Sequence, residues 1–389
     1  MKTLIYNGQV ICDGQRRLND AYLLFDESGI LKVADENIDT YYNDPTVEKV
    51  DARGNWVTPG LTDVHTHGAN GYDFAAITGQ ELNVVGQVLV KEGVTSFLAS
   101  TSCDSRLEML AMAQRLGAYR YESGARCLGI HMEGPYLSTK YKAIMREELL
   151  RPASIKEFQN WQKASGNFVK TITVAPEVSG VLDFIATLSD QVRIMIGHSD
   201  ASVSQVTMAV KNGARGFTHL YNAMSQHLHR QPGVVTAAFL TEHTYCEMIC
   251  DGNHIAPEAI AMTIKQMRPE RIILISDAMP GKGMADGRFL FCKNWVYKEG
   301  GLAHLEGDTK LAGSIMPLNQ MCYNVLQWCD CSINDIVQMA CVNPNRLLNE
   351  SKKGHLAPGY DADVCIFNKQ LKPLVVYVAG VKQELNPLD

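Results

Sequence analysis

The sequence has no apolar run long enough to cross a membrane, no basic cluster, no Cys-x-x-Cys pair, no low-complexity tract and no internal repeat. Each absence removes a class of protein. Without about 20 consecutive apolar residues no transmembrane helix is expected. Without a basic stripe, and with a formal net charge of −6, nucleic acid is not an expected partner. The N-terminus, Met1-Lys2-Thr3-Leu4-Ile5-Tyr6-Asn7-Gly8, is too short and polar for a secretory signal. The cysteines number eleven and are scattered, with Cys329 and Cys331 the closest pair. An odd, dispersed set suits a reducing compartment better than a disulfide framework, so the expected location is the cytoplasm. What remains is an ordinary globular composition, 46% hydrophobic and 20% charged over 389 residues. That length accommodates a barrel of about 250 residues plus a smaller unit.

Hydrophobic patterning divides the chain. Residues 1–54 read as short strands, Thr3–Tyr6, Val10–Cys12, Ala21–Phe25 and Ile30–Val33, separated by Asn-Gly, Asp-Gly and Ser-Gly turns. The far end, 355–389, again reads as strands, so one small β-sandwich built from both termini is expected. Between them, 55–354 alternates apolar runs with helical patterns. The strand candidates are Trp56–Val57 running into Leu61–His65, then Ser96–Ala99, Cys127–His131, Thr171–Ala175, Arg193–Gly197, Gly216–Thr218, Tyr245–Ile249 and Arg271–Ser276. Helical patterns cover Leu82–Glu92, Arg106–Tyr121, Val181–Ser189, Ser202–Asn212 and Ala256–Met267. Eight such units point to an α/β fold, a (β/α)8 TIM-like barrel.

In such a barrel the chemistry lies at the C-terminal ends of the strands. The first ends in Pro59-Gly60-Leu61-Thr62-Asp63-Val64-His65-Thr66-His67-Gly68. Residues two apart on an extended segment share a face, so His65 and His67 set two imidazoles side by side, a metal-ligand spacing. Alone, the pair is equally well read as polar residues at a strand end. Further strand ends carry Glu133, His198, His219, Asp251 with His254, and Asp277. Each has a plain alternative: Glu133 as a turn acid, His198 as a loop residue, Asp277 as a helix N-cap. Their recurrence at successive strand ends favours a metal site. His65, His67, Glu133, His198, His219 and Asp277 are enough ligands for two divalent ions sharing a carboxylate, with zinc, iron, manganese or cobalt all suited to the donors. Such ions acidify water and polarise carbonyls, and a carboxylate beside them moves protons; Asp277 is the candidate. The kit is one for hydrolysis of an amide or ester. His227, His229, His243, His304 and His355 fall elsewhere and are expected at the surface or in loops.

Several longer motifs join this set: His131-Met132-Glu133-Gly134-Pro135-Tyr136, Gly197-His198-Ser199, Thr218-His219-Leu220-Tyr221-Asn222-Ala223-Met224, Arg230-Gln231-Pro232-Gly233, Asp251-Gly252-Asn253-His254, Ser276-Asp277-Ala278-Met279 and Leu311-Ala312-Gly313-Ser314. Through them the chain resembles the N-acetylglucosamine-6-phosphate deacetylases of the amidohydrolase superfamily, nearly end to end. The resemblance implies removal of acetate from a 2-acetamido sugar phosphate in amino-sugar catabolism. It implies a divalent metal, zinc or iron, on Glu133, His198 and His219, with a second on His65 and His67, one or two per subunit. It implies Asp277 as general base and acid. Asn222, Ala223, Arg230 and His254 are the implied grip on the sugar phosphate, shared across a homodimer. One departure stands out. Where the family carries Lys-Gly-Ala-His, this chain reads Lys142-Ala143-Ile144-Met145. Methionine donates no hydrogen bond, which makes N-acetylgalactosamine 6-phosphate or another acylamino sugar phosphate a competing substrate. A cyclic-amide hydrolase and a catalytically weak sugar-phosphate-binding regulator are the further alternatives.

Overall fold

The computed structural model of the chain describes residues 1–385, so the last four positions of the terminal unit expected from the sequence lie outside the described residues. Eight parallel strands pair in chain order: Leu61–Thr66, Val94–Thr101, Arg126–Glu133, Val169–Val174, Arg193–Ile196, Gly216–Phe217, Tyr245–Met248 and Ile272–Leu274. Parallel strands covered by helices are buried on both faces and read as unbroken apolar runs; every residue of Val94–Thr101 is buried. The ends of this sheet meet at the C-terminal mouth. Asp277 N donates to His65 O and His67 N donates to Ala278 O, both at 2.8 Å. Below them the buried Asp63 carboxylate accepts from Ser276 Oγ at 2.5 Å and from Ser276 N at 3.2 Å. The barrel is thus nearly closed, and its seam runs between the first and eighth strands.

The covering helices start where the side chains can cap them. Ser105, Ser154 and Ser202 each accept from the backbone N–H three residues on. A cap of this kind is worth about 1 kcal/mol. Helices Ile155–Ser165, Val234–Leu240 and Leu318–Trp328 were not among the helical patterns read from the sequence.

The reading that runs Trp56–Val57 into Leu61–His65 is corrected by the structure. Trp56–Pro59 pairs with Val364–Phe367 and with Gln9–Val10, and Gly60 passes the chain into the barrel. A Cβ on Gly60 would lie 2.1 Å from Thr95 Oγ1, so only glycine fits at the crossing. Both termini build one mixed eight-stranded sheet. It curls on itself. The Phe25 and Tyr377 rings stand 4.9 Å apart although three strands separate theirs along the sheet, a flat distance of about 19 Å. Ile5, Val10, Leu23, Phe25, Val364 and Ile366 fill the space enclosed.

A second β unit has no counterpart in the sequence reading. Gly287–Phe291, Asn294–Glu299 and Leu302–Leu305 form an antiparallel meander after the eighth barrel strand. Its inner residues Phe291, Cys292, Val296 and Ala303 pack against Ile144 and Met145.

Candidate metal centre and active site

The site residues stand where the strands run out. His65 and Glu133 lie in the last turns of the first and third strands, and His67, His198, His219 and Asp277 lie just past their strands. His198, His219 and Asp277 adopt φ of 48°, 30° and 45°. Left-handed backbone in residues other than glycine costs on the order of 1 kcal/mol or more and persists where the surroundings over-determine it, often at functional sites.

These side chains form two buried ligand sets, His65–His67–Glu133 and Glu133–His198–His219, which share Glu133. In the first, His65 Nε2 stands 3.3 Å from His67 Nε2 and 3.4 Å from Glu133 Oε1, and Asp277 Oδ1 stands 3.4 Å from both imidazoles. In the second, Glu133 Oε1 lies 3.1 Å from His198 Nε2 and 3.0 Å from His219 Nε2, and the two nitrogens are 3.1 Å apart. Two neutral imidazoles converging through unprotonated nitrogens repel each other. Donors about 2.1 Å from a tetrahedral ion sit about 3.4 Å from one another. The donor sets therefore fit divalent cations.

Charge argues the same way. Burial disfavours the imidazolium of His65, but Asp277, Glu133 and Glu247 outweigh it and hold the pKa well above the usual histidine value. Burial also works against the His67 imidazolium; Asp277 and Glu133 outweigh it and lift the pKa to about 9. The Asp277 carboxyl, opposed by burial, is brought down to about 2 by His65 and His67. The carboxylates thus require positive charge among the imidazoles, supplied by protons or by a cation. His131 lies behind His65, its ring centroid 4.4 Å away, bonded to Ser100 and Thr173. Burial first, and His65 second, keep its pKa well below the usual value, so it stays neutral.

His67, Glu133, His198, His219 and Asp277 form the floor of a cavity of about 300 Å³, with His65 buried beneath them. Asn222, Ala223 and His254, the residues expected to grip the substrate, line it. His254 is aimed by Asp251, whose Oδ2 accepts from Nδ1 at 2.7 Å while Oδ1 accepts from the Asn253 and His254 amides at 2.8 Å each. Burial opposes charge on His254, but Asp251 raises its pKa, so the imidazole favours the charged form that suits an anion. Arg230 is exposed and does not line the cavity of its own chain. His227, His229 and His243 are likewise exposed.

Three cavity residues were missed by the sequence reading. Phe291, Cys292 and Lys310 come from the meander and its exit, and no motif marked them. Phe291 packs edge-on to His67 at 5.2 Å, and Met145 joins it in an apolar wall. A fourth missed residue, Glu247, lies behind the ligands. Its signal was available: an acid amid the apolar strand Tyr245–Met248, 2% exposed.

The amidohydrolase family model matches residues 56–383. The chain is 34% identical to an N-acetylglucosamine-6-phosphate deacetylase of Lysinibacillus sphaericus, covering 84% of each chain. It is 32% identical to an N-acetylgalactosamine-6-phosphate deacetylase of Escherichia coli O157:H7, over 83% of this chain and 86% of that one. Among solved structures it is similar to an aspartate-to-alanine mutant of the N-acetyl-D-glucosamine-6-phosphate deacetylase of Mycobacterium smegmatis in complex with N-acetyl-D-glucosamine-6-phosphate. That likeness has a TM-score of 0.90 at 29% identity, over 98% of this chain and 99% of that one.

Proposed function

The chain belongs to the amidohydrolase family, and on that premise we propose that it hydrolyses the acetamide of N-acetylglucosamine 6-phosphate to glucosamine 6-phosphate and acetate. The observation that carries this reading is the pair of buried ligand sets sharing Glu133, with Asp277 against them at the floor of the cavity. Glu133, His198 and His219 would hold one divalent metal, and His65 and His67 with Glu133 would hold a second, zinc or iron in each case. Such a metal supplies acidified water and a polarised carbonyl. Asp277 Oδ1 then accepts a proton from the attacking water and returns it to the amide nitrogen before the C–N bond breaks. Its depressed pKa keeps it ionised at neutral pH, so it is ready to accept.

Asn222 and Ala223 position the sugar. The phosphate meets His254 and Lys310 within the chain, and Arg230 reaches it from the neighbouring subunit of a homodimer. That arrangement accounts for an exposed Arg230 in a family-matching motif. The terminal unit, 1–54 with the described residues 355–385 and the strand Trp56–Pro59, serves as a buttress, since none of the cavity-lining residues comes from it. The eleven cysteines are all free, which supports a cytoplasmic setting. A second reading rests on Met145: its apolar wall removes a hydrogen bond to the sugar, which favours acceptance of the C4 epimer, N-acetylgalactosamine 6-phosphate.

An acetate-release assay across acylamino sugar phosphates tests both. Turnover of the gluco compound at least equal to that of the galacto compound is expected. Turnover of neither would end the reading.

A further inference from the structure

Of the four metal-set histidines, only His65 has, among the described residues, a carboxylate outside the sets at its remote nitrogen. Glu247 Oε2 lies 3.1 Å from His65 Nδ1. His198 Nδ1 instead donates to the backbone carbonyl of Tyr141 at 2.9 Å, and His219 Nδ1 has no partner among the described residues. The same Glu247 oxygen accepts the backbone N–H of His219 at 3.4 Å. It is therefore tied to one ligand of each set, from the seventh barrel strand, which itself contributes no ligand.

We infer that Glu247 is the positioning residue that makes the His65–His67 pair a working metal site. The inference rests on the metal-hydrolase reading above and deepens it. A neutral imidazole that donates from Nδ1 to a carboxylate presents its unprotonated Nε2 on the other side, the form that a cation binds. Here that side faces His67, Glu133 and Asp277. The anionic acceptor also makes Nε2 more basic, hence a better ligand. The ladder fixes the Glu247 backbone and burial fixes its side chain, so little conformational freedom is lost in holding His65. Its contact with the second set is one long backbone bond, so that set keeps its own geometry without Glu247.

The test uses chelator-stripped full-length protein titrated with zinc against a chromophoric chelator, with metal content measured independently. The unmodified chain is expected to take up two ions. Glu247→Ala should weaken one site 10–100-fold, the usual worth of such a partner, and leave the other unchanged. Glu247→Gln, which retains an acceptor but no charge, should weaken the same site less. In a His65→Ala background the further change Glu247→Ala should alter zinc affinity by less than about twofold, since Glu247 acts through His65. Two sites of unmodified affinity in Glu247→Ala, equal weakening of both, or a single ion in the unmodified chain would overturn the inference. If Glu247→Ala fails to fold, unmodified affinities in Glu247→Gln decide against it. Because the readout is zinc and not turnover, two bound ions without deacetylation would sink the functional reading while leaving Glu247 in its role.

Discussion

The floor and the wall of the cavity are made in different ways. The floor is five side chains, with His65 buried beneath them, at the ends of five parallel strands, each fixed by a barrel that buries its neighbours. The wall is a loop, Ala143–Met145, packed against a three-stranded insertion. Chemistry needs ligand atoms placed to a few tenths of an ångström, which strand ends on a closed barrel provide. Selectivity needs a surface that changes without moving those atoms, which an inserted unit provides. They touch at Tyr141, just ahead of the wall loop, which accepts the His198 hydrogen bond, and at Phe291, which packs edge-on to His67.

The sharpest attack on the floor is Asp277→Asn, which keeps shape but accepts no proton. Turnover should fall by roughly 10²–10⁴-fold, with metal content and melting temperature retained. Near-normal turnover with metal in place would take Asp277 out of the proton transfer.

In the proposed dimer, Arg230→Ala should weaken phosphorylated substrates by ~2–5 kcal/mol, the cost of losing a desolvated charge partner. An unphosphorylated acetamido sugar should be almost unaffected. A loss below ~1 kcal/mol, typical of exposed charges, would leave the phosphate to His254 and Lys310.

A milder test uses pH on metal-stripped protein. His67 is lifted from about 6.5 to about 9, so the stability it contributes is complete below the lower value and is lost as pH rises through the upper. The melting temperature of stripped protein should therefore fall between pH 7 and pH 9.5. Zinc-loaded protein, whose imidazoles are already neutral, should lack that fall, and zinc uptake should release protons. Parallel pH profiles for the two forms would refute the coupling.

The smallest effect belongs to the wall. Met145→His restores a hydrogen-bonding side chain at a position only 5% exposed. It should change the ratio of kcat/KM for the two C4 epimers by about one hydrogen bond, 0.5–1.5 kcal/mol. Metal affinity should not move. A change in metal affinity without any change in the epimer ratio would mean that floor and wall are not separable.

The same division governs what the sequence reveals. His65, His67, Glu133, His198, His219 and Asp277 were legible because parallel strands announce themselves as apolar runs and a polar residue ending each run is conspicuous. Trp56–Pro59 was misassigned because an apolar strand carries no mark of which sheet it joins; only Gly60, hemmed in by Thr95, records the crossing. The meander was missed because its exposed face breaks the pattern: Leu290, Trp295 and Tyr297 point outward, so apolar and polar positions do not alternate as burial does. Phe291 and Lys310 reach the cavity only through that tertiary arrangement, which no local spacing encodes. Glu247 was legible in principle, as an acid inside a strand whose neighbours are buried.

The seam of the barrel has a kinetic consequence. Its two mouth hydrogen bonds, Asp277 N to His65 O and His67 N to Ala278 O, tie the backbone of the His65–His67 pair to the strand end that carries Asp277, whose Oδ1 stands 3.4 Å from both imidazoles. Parting the first and eighth strands at the mouth therefore breaks these backbone bonds and draws Asp277 away from the imidazoles in one event. Opening of the seam exposes both amides to water, and anything that binds only the closed barrel slows their exchange. Hydrogen exchange at Asp277 and His67 is in that sense a clock for the opening of the barrel.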